Sequence, residues 1–321
     1  MPTVTTAARL HFGFQNLSLA HERLYGGVGL ALDEPRLTVE ATRAETVQCD
    51  DAATEPYVRR VVDALDVPGA AVSVEERFPR HVGLGSGTQL SLATLIAVVR
   101  AYDRTADART YAPQLGRGGR SGIGVAAFES GGFVVDGGHP TERFTAEPPA
   151  EGDWDVPPVL AHHDVPSHWR FVVVVPDTDP GQSGSAEDQS MRQAVERADP
   201  GIADEISTLL TRRLLPAIAT RDHSDFGQAA ARLGRLNGAW YADEQGGVYR
   251  PPAGSLVESL SSAPVISGAG QSSWGPTVWG LTTAEHVPAA REAGVLALDE
   301  AGVEGTVHVV SPRNTGASLN E

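Results

Sequence analysis

The segment His81-Val82-Gly83-Leu84-Gly85-Ser86-Gly87-Thr88-Gln89 runs straight into Leu90-Ser91-Leu92-Ala93-Thr94-Leu95-Ile96-Ala97-Val98-Val99, and this junction decides the fold. Residues from about Thr88 to Tyr102 are apolar almost all round, which predicts a buried helix. Glycines ahead of it let the backbone approach a ligand closely, and the first amides of a helix, with its dipole, form a cradle for an anion. Ser86 and Thr88 add hydroxyls able to reach a phosphate or its Mg²⁺. Taken alone, the pattern equally fits a glycine-rich turn that only caps a helix.

Two further glycine-rich segments follow. In Gly116-Arg117-Gly118-Gly119-Arg120-Ser121-Gly122-Ile123-Gly124, the two arginines can clamp a phosphate or carboxylate by paired hydrogen bonds, or simply face solvent. Ser267-Gly268-Ala269-Gly270-Gln271-Ser272-Ser273-Trp274-Gly275-Pro276 offers amides and hydroxyls in a compact turn. Trp274 can stack on an aromatic ligand there or belong to the core.

Outward from these loops, residues 1–48 read as short strands and turns, with Ala8–Phe14 and Arg36–Ala41 as strands. Thr54–Leu65 carries a helical stripe and Ala70–Glu76 alternates as a strand. Gly132–Val135 is a strand, residues 146–168 a linker or irregular crossover, and Phe171–Val175 a buried strand. Helical patterns cover about 200–220, 222–237 and 252–262. The end of the chain reads as a helix near 284–293 and strands near 295–299 and 305–310. Such alternation predicts an α+β architecture in two domains, residues 1–165 and 166–321.

Composition narrows the partners. Among 321 residues, 25 basic side chains face 41 acidic ones, for a formal net charge of -16. Every one of those cations is an arginine; lysine is absent. This excludes a lysine Schiff base and a Walker-type phosphate loop. An acidic, lysine-free chain suits a cytoplasm at multimolar salt, where screening shrinks to about 3 Å at 1 M, although a GC-rich genome leaves a similar signature. Nucleic acid is disfavoured as a partner, because phosphate contacts need a basic face. The single cysteine, Cys49, excludes internal disulfides and cysteine-rich metal sites. No apolar run approaches membrane-spanning length and no secretory pattern opens the chain, so a soluble, cytoplasmic protein is expected.

The loop Gly83–Ser86 and the segment Ser267–Gly270 resemble the second and third motifs of the GHMP kinase superfamily. Ser121-Gly122-Ile123-Gly124-Val125-Ala126 with Gly131-Gly132 is similar to the Ser-Gly-x-Asp-Asn-Ala…Gly-Gly segment of its mevalonate-type kinases. Arg9–Gly13, Arg23–Leu30, His81–Gln89, Arg120–Gly138 and Gly270–Gly280 resemble, in order, the β-ribofuranosylaminobenzene 5′-phosphate synthases, from residue 9 to about 310. The resemblance implies a GHMP fold: an N-terminal domain like part of ribosomal protein S5 and a ferredoxin-like C-terminal domain. It implies that phosphoribosyl pyrophosphate condenses with 4-hydroxybenzoate or 4-aminobenzoate to give a C-riboside, CO₂ and pyrophosphate, a step toward methanopterin.

The superfamily's kinases orient the attacking hydroxyl with an aspartate, often helped by a lysine. Gly124 stands at that position and lysine is absent, which leaves a polyphosphate cradle suited to a departing diphosphate. The expected diphosphate ligands are Gly83, Gly85, Ser86, Gly87 and Thr88. Arg117 and Arg120 are candidates for the 5′-phosphate or the carboxylate, and Gln89, Ser121, Gly268, Gly270, Gln271, Ser272 and Trp274 complete the substrate-binding set. Arg9 and His11 sit on a strand placed near the cleft. His11 is the candidate base, or a structural hydrogen-bonder. Ser86 and Glu129, with Asp136 as a further possibility, are candidate Mg²⁺ ligands, although each carboxylate fits a solvated or structural role better. His162, His163, Asp164 and His168 read as an exposed loop rather than a metal cluster. A homodimer is expected. Competing readings are an ATP-dependent small-molecule kinase and a non-catalytic phosphometabolite sensor.

Overall fold

The computed structural model describes residues 1–144, 150, 152–179 and 185–320. Two long strands dominate the first half. Strands β1 (Thr3–Asn16) and β2 (Arg23–Arg43) pair antiparallel along nearly their whole length, where the sequence suggested short strands and turns. The glycines of β2 are inside the ladder: Gly27 faces Phe14 and Gly29 faces His11 across it. A bulge between His11 and Gly13 bends β1. Gly13, at φ +152°, has the Asn237 side chain where a β-carbon would stand, 2.5 Å away. Asn237 caps the bulge by accepting from Phe14 N at 2.6 Å and donating to Phe14 O at 2.9 Å.

After the short β3 (Gln48–Cys49), helix α1 (Glu55–Leu65) and β4 (Ala70–Glu76) match the predicted stripe and alternation. Helix α2 (Ser86–Ala101) buries Leu90, Leu92, Leu95, Val98 and Val99 and packs on β1 and β2. Then come α3 (Ala108–Tyr111), α4 (Ile123–Glu129), β5 (Phe133–Asp136), β6 (His139–Pro140) and β7 (Val159–His163). Strand β7 pairs with β5, so the stretch read as a linker or crossover contributes an edge strand with His162 and His163 on it. Part of that stretch lies outside the described residues.

The second sheet has the order β11-β8-β10-β9 and is antiparallel throughout. It begins with β8 (Trp169–Pro176). Helices α5 (Ser185–Arg197), α6 (Pro200–Leu209), α7 (Leu215–Thr220), α8 (His223–Trp240), α9 (Ala242–Gln245) and α10 (Ala253–Ser262) follow. Strands β9 (Gly268–Gln271) and β10 (Val278–Thr283) come next, before α11 (Val287–Ala301), β11 (Gly305–Val310) and β12 (Ser318–Asn320). The expected strand at 295–299 is instead the second half of α11. Ala290, Gly294, Ala297 and Leu298 form one buried helical stripe, and Gly294 lets α11 lie against Val307 and Val172. That glycine is a contact point inside the helix. Strand β12 returns to the first sheet beside Thr3–Thr5.

A seam of rings joins the sheets. Phe226 on α8 meets Phe12, Phe133 and Trp169 at centroid distances of 6.1, 5.4 and 5.1 Å, and Phe12 meets Trp279 at 4.9 Å. These fully buried aromatics bury large apolar areas, which ties the two halves into one core. No helix among the described residues is long and apolar enough to cross a membrane.

Candidate functional site

The glycine loop before α2 is held from both halves of the chain. Arg9 on β1 donates from Nη1 to Gly83 O at 2.5 Å, and its backbone amide reaches Leu84 O at 3.0 Å. Ser272 Oγ donates to the same Gly83 carbonyl at 2.8 Å while accepting from His11 N at 3.1 Å. Ser273 N completes the lattice by reaching His11 O at 3.0 Å. Gly83 sits at φ +93° with Ser272 O 2.1 Å from the place of a β-carbon, so no other residue fits.

Gly85 takes a left-handed conformation at the N-cap of α2 and supplies no side-chain cap. The amides of Thr88 and Gln89 turn back to Gly85 O. Those of Ser86 and Gly87 have no hydrogen-bond partner among the described residues. Free first-turn amides at the positive end of a 16-residue helix attract an anion. Cationic groups flank them. The Arg117 Nη1 lies 3.2 Å from where a β-carbon of Gly87 would be, and Arg9 borders Gly85. Arg117 and Arg80 both stack on the Tyr57 ring, at 5.4 and 5.3 Å from its centroid. Arg117 Nε donates to Ser91 Oγ at 3.1 Å, which fixes its fork beside the loop.

Behind the loop lies a buried carboxylate. Asp136 is fully buried and accepts from Gly122 N at 2.7 Å, Gly138 N at 2.9 Å and Ser121 Oγ at 3.1 Å. Burial pushes its carboxyl up to about 6 against the pull of those donors. Ser121 Oγ also lies 3.2 Å from His11 Nε2. Since Ser121 spends its single proton on Asp136, its oxygen accepts from His11, which fixes the Nε2–H tautomer. Burial, and then the charge of Arg9, lowers His11 to about 3, so the ring is neutral at physiological pH. The sequence offers Asp136 as a possible metal ligand or as a solvated or structural acid, and the structure shows it engaged by three donors. Its role as acceptor for Ser121 needs the β2–β5 pairing that sets Gly27 against both side chains.

The other candidates divide. Ser86 and Thr88 stay at the loop, and Gly124 packs on Thr88, leaving no acid there. Arg120 and Ser121 are half-buried in the second glycine loop. Gln89 is not at the ligand face: it is buried, with Thr6 donating to its Oε1 and its Nε2 reaching Gly124 O at 2.8 Å. Gly268 is pressed on the backbone of Gly227 and Gly270 on the Trp279 ring, so both serve packing. Gln271 fixes the turn through Ser273 O and Arg250 N, and Trp274 leans on Tyr241 at 4.3 Å. Glu129 is spent on a two-pronged pair with Arg109, with Arg109 Nη2 donating to Oε2 at 2.7 Å, and faces the depression beside Phe128 and Leu319 rather than the loop.

Among the described residues no group of three or more histidine, cysteine or carboxylate side chains is placed to hold a metal. With Glu129 and Asp136 both engaged, the described residues do not form a resident magnesium site. Ser86 remains as a lone hydroxyl.

Residues 53–132 match the GHMP kinases N-terminal domain. The β-ribofuranosylphenol 5′-phosphate synthase of Methanothermobacter thermautotrophicus is 32% identical, covering 98% of each chain. That of Archaeoglobus fulgidus is also 32% identical, covering 99% of each. Mevalonate pyrophosphate decarboxylase from Streptococcus pyogenes superposes with a TM-score of 0.68 at 11% identity, covering 97% of this chain and 96% of that one, which shows the fold. Identity at this level over nearly the full length, together with the glycine loop and its arginines, places the chain in the β-ribofuranosylphenol 5′-phosphate synthase family of the GHMP kinase superfamily.

Proposed function

We propose that the protein condenses phosphoribosyl pyrophosphate with 4-hydroxybenzoate, releasing CO₂ and pyrophosphate and leaving a β-C-riboside 5′-phosphate. The observation that carries this reading is the pair of free amides at Ser86 and Gly87 between Arg9 and Arg117, in a site with glycine at position 124 and no lysine. Such a loop stabilises a leaving diphosphate by preorganised dipoles and fixed charge, and lacks the acid that would activate an attacking hydroxyl. The relatives' name, a ribofuranosylphenol, favours the hydroxy acid over the amino acid as acceptor.

In this reading the loop amides and Arg9 hold the diphosphate while C1 of the ribose becomes cationic. His11, with Nε2–H held by Ser121, takes the phenolic proton at Nδ1, the anionic diphosphate and carboxylate of the bound substrates raising the basicity that burial and Arg9 lower. Asp136 and Ser121 set the tautomer. A magnesium ion would arrive on the diphosphate, with phosphate oxygens and water as its main ligands. A homodimer in a salt-rich cytoplasm belongs to the same proposal.

The test is incubation with phosphoribosyl pyrophosphate and 4-hydroxybenzoate, following pyrophosphate and CO₂, beside a parallel assay for ATP consumption. Riboside with equimolar CO₂ is the expected result. ATP turnover on a polyol without riboside would replace this reading by the kinase one.

A further inference from the structure

Between His11–Phe14 of β1, the inner face of α8 and the turn after β9, a crevice opens to solvent, with a cavity volume of about 40 Å³. Its walls include Phe14, Tyr241, Val248, Tyr249 and Trp274, and His11 lies at its inner end. No lining residue is an acid or an arginine, in a chain with 21% charged residues. Gly234 lines the crevice too, and a β-carbon there would meet nothing closer than Phe12 O at 3.6 Å.

The crevice and the anion loop share one structural part. Trp274 belongs to the turn whose Ser272 donates to Gly83 O, whose Ser273 amide reaches His11 O, and whose Gly275 packs on Val82 and Gly83. The wall a ring would meet at Trp274 is thus tied through Ser272 and Ser273 to the glycine loop and to His11, which itself lines the crevice.

We propose that this crevice is the subsite for the aromatic acceptor, with Trp274 and Tyr241 as its walls, an inference that rests on the reaction proposed above. The neutral lining suits the chemistry. The ring carbon bearing the carboxylate bonds to C1 as the C1–O bond to diphosphate breaks, and the phenolic proton passes to the base. The bond to the carboxylate then breaks, its electron pair restores the aromatic ring, the phenolic oxygen regains a proton and CO₂ departs. A cation beside the carboxylate would hold the charge that must vanish, whereas a crevice of rings and amides does not solvate it.

Filling the crevice tests this. Gly234→Leu adds a side chain on the crevice face of α8, and Gly234→Ala is the milder change if the larger one lowers the melting temperature. Trp274→Leu removes a wall. The measurements are KM for each substrate and direct binding of 4-hydroxybenzoate by calorimetry. The expected result is a tenfold or larger rise in acceptor KM for Gly234→Leu, about threefold for Gly234→Ala, and KM for phosphoribosyl pyrophosphate within twofold of the parent. Parent enzyme that forms riboside, with acceptor KM unchanged in folded variants, overturns the crevice and leaves the reaction standing. Parent protein that binds 4-hydroxybenzoate without turnover, and loses that binding in Gly234→Leu, supports the crevice and removes the reaction.

Discussion

The Nε2 of His11 lies 3.2 Å from the Oγ of Ser121, and the direction of that hydrogen bond is set by Asp136 on the far side of the serine. A histidine in such a chain presents one nitrogen as donor and keeps the other as acceptor.

His11→Gln removes the base, and kcat is expected to fall by about 10²–10⁴ with little change in KM for phosphoribosyl pyrophosphate. Ser121→Ala leaves the imidazole but frees its tautomer, so a smaller fall in kcat is expected. Steady-state kinetics with both substrates varied decides it; equal kcat in parent and His11→Gln would end the role of His11.

Asp136→Asn places a donor where Gly122 N, Gly138 N and Ser121 all point toward an acceptor. Each donor left unmatched costs about 1–3 kcal/mol. A lower urea midpoint with an unchanged m-value is the expected signature.

The pH dependence of stability follows from the same groups. His11 is lowered to about 3 in the fold from 6.5, so its contribution is full above pH 6.5 and is lost as pH falls toward 3. His139, lowered to about 4, acts in the same direction. Asp136, raised to about 6, acts oppositely, since its proton is held more tightly in the fold, stabilising it as pH falls from 6 through 3.8. Replacing His11 by glutamine should therefore flatten the acid side of the curve by about 1.4 kcal/mol per pH unit between pH 6 and 4. Urea titrations at several pH values would show an unaltered slope if His11 titrates normally.

Arg117→Gln removes a charge beside the free amides of the loop. A charge-assisted contact contributes about 1.5–3 kcal/mol, so KM for the diphosphate substrate should rise about 10- to 100-fold. Retained affinity would place the diphosphate elsewhere.

With a formal net charge of -16, the fold should gain stability from salt that screens its self-repulsion. We expect the melting temperature to climb between about 0.1 M and 2 M KCl, and a flat profile would assign the composition to base content alone.

The glycine loop and α2 were legible because glycine and apolar periodicity are local signals. Ala70–Glu76 was legible for the same reason. The long β1–β2 ladder was not, because the glycines of β2 look like punctuation until β5 and α4 lie against them. The Asp136–Ser121–His11 chain was hidden for a further reason: its members are separated by 15 and 110 residues. Gln89, Gly268 and Gly270 sit inside the right motifs yet serve packing, since motif spacing does not say which way a side chain faces.

The Gly83 carbonyl takes one hydrogen bond from Arg9 and another from Ser272, one from each half of the molecule. Any hinge motion that parts the halves must pull one of these donors off the same oxygen. The same carbonyl thus makes the seating of the glycine loop depend on both halves at once, so a change at Ser272 should be felt at the start of α2.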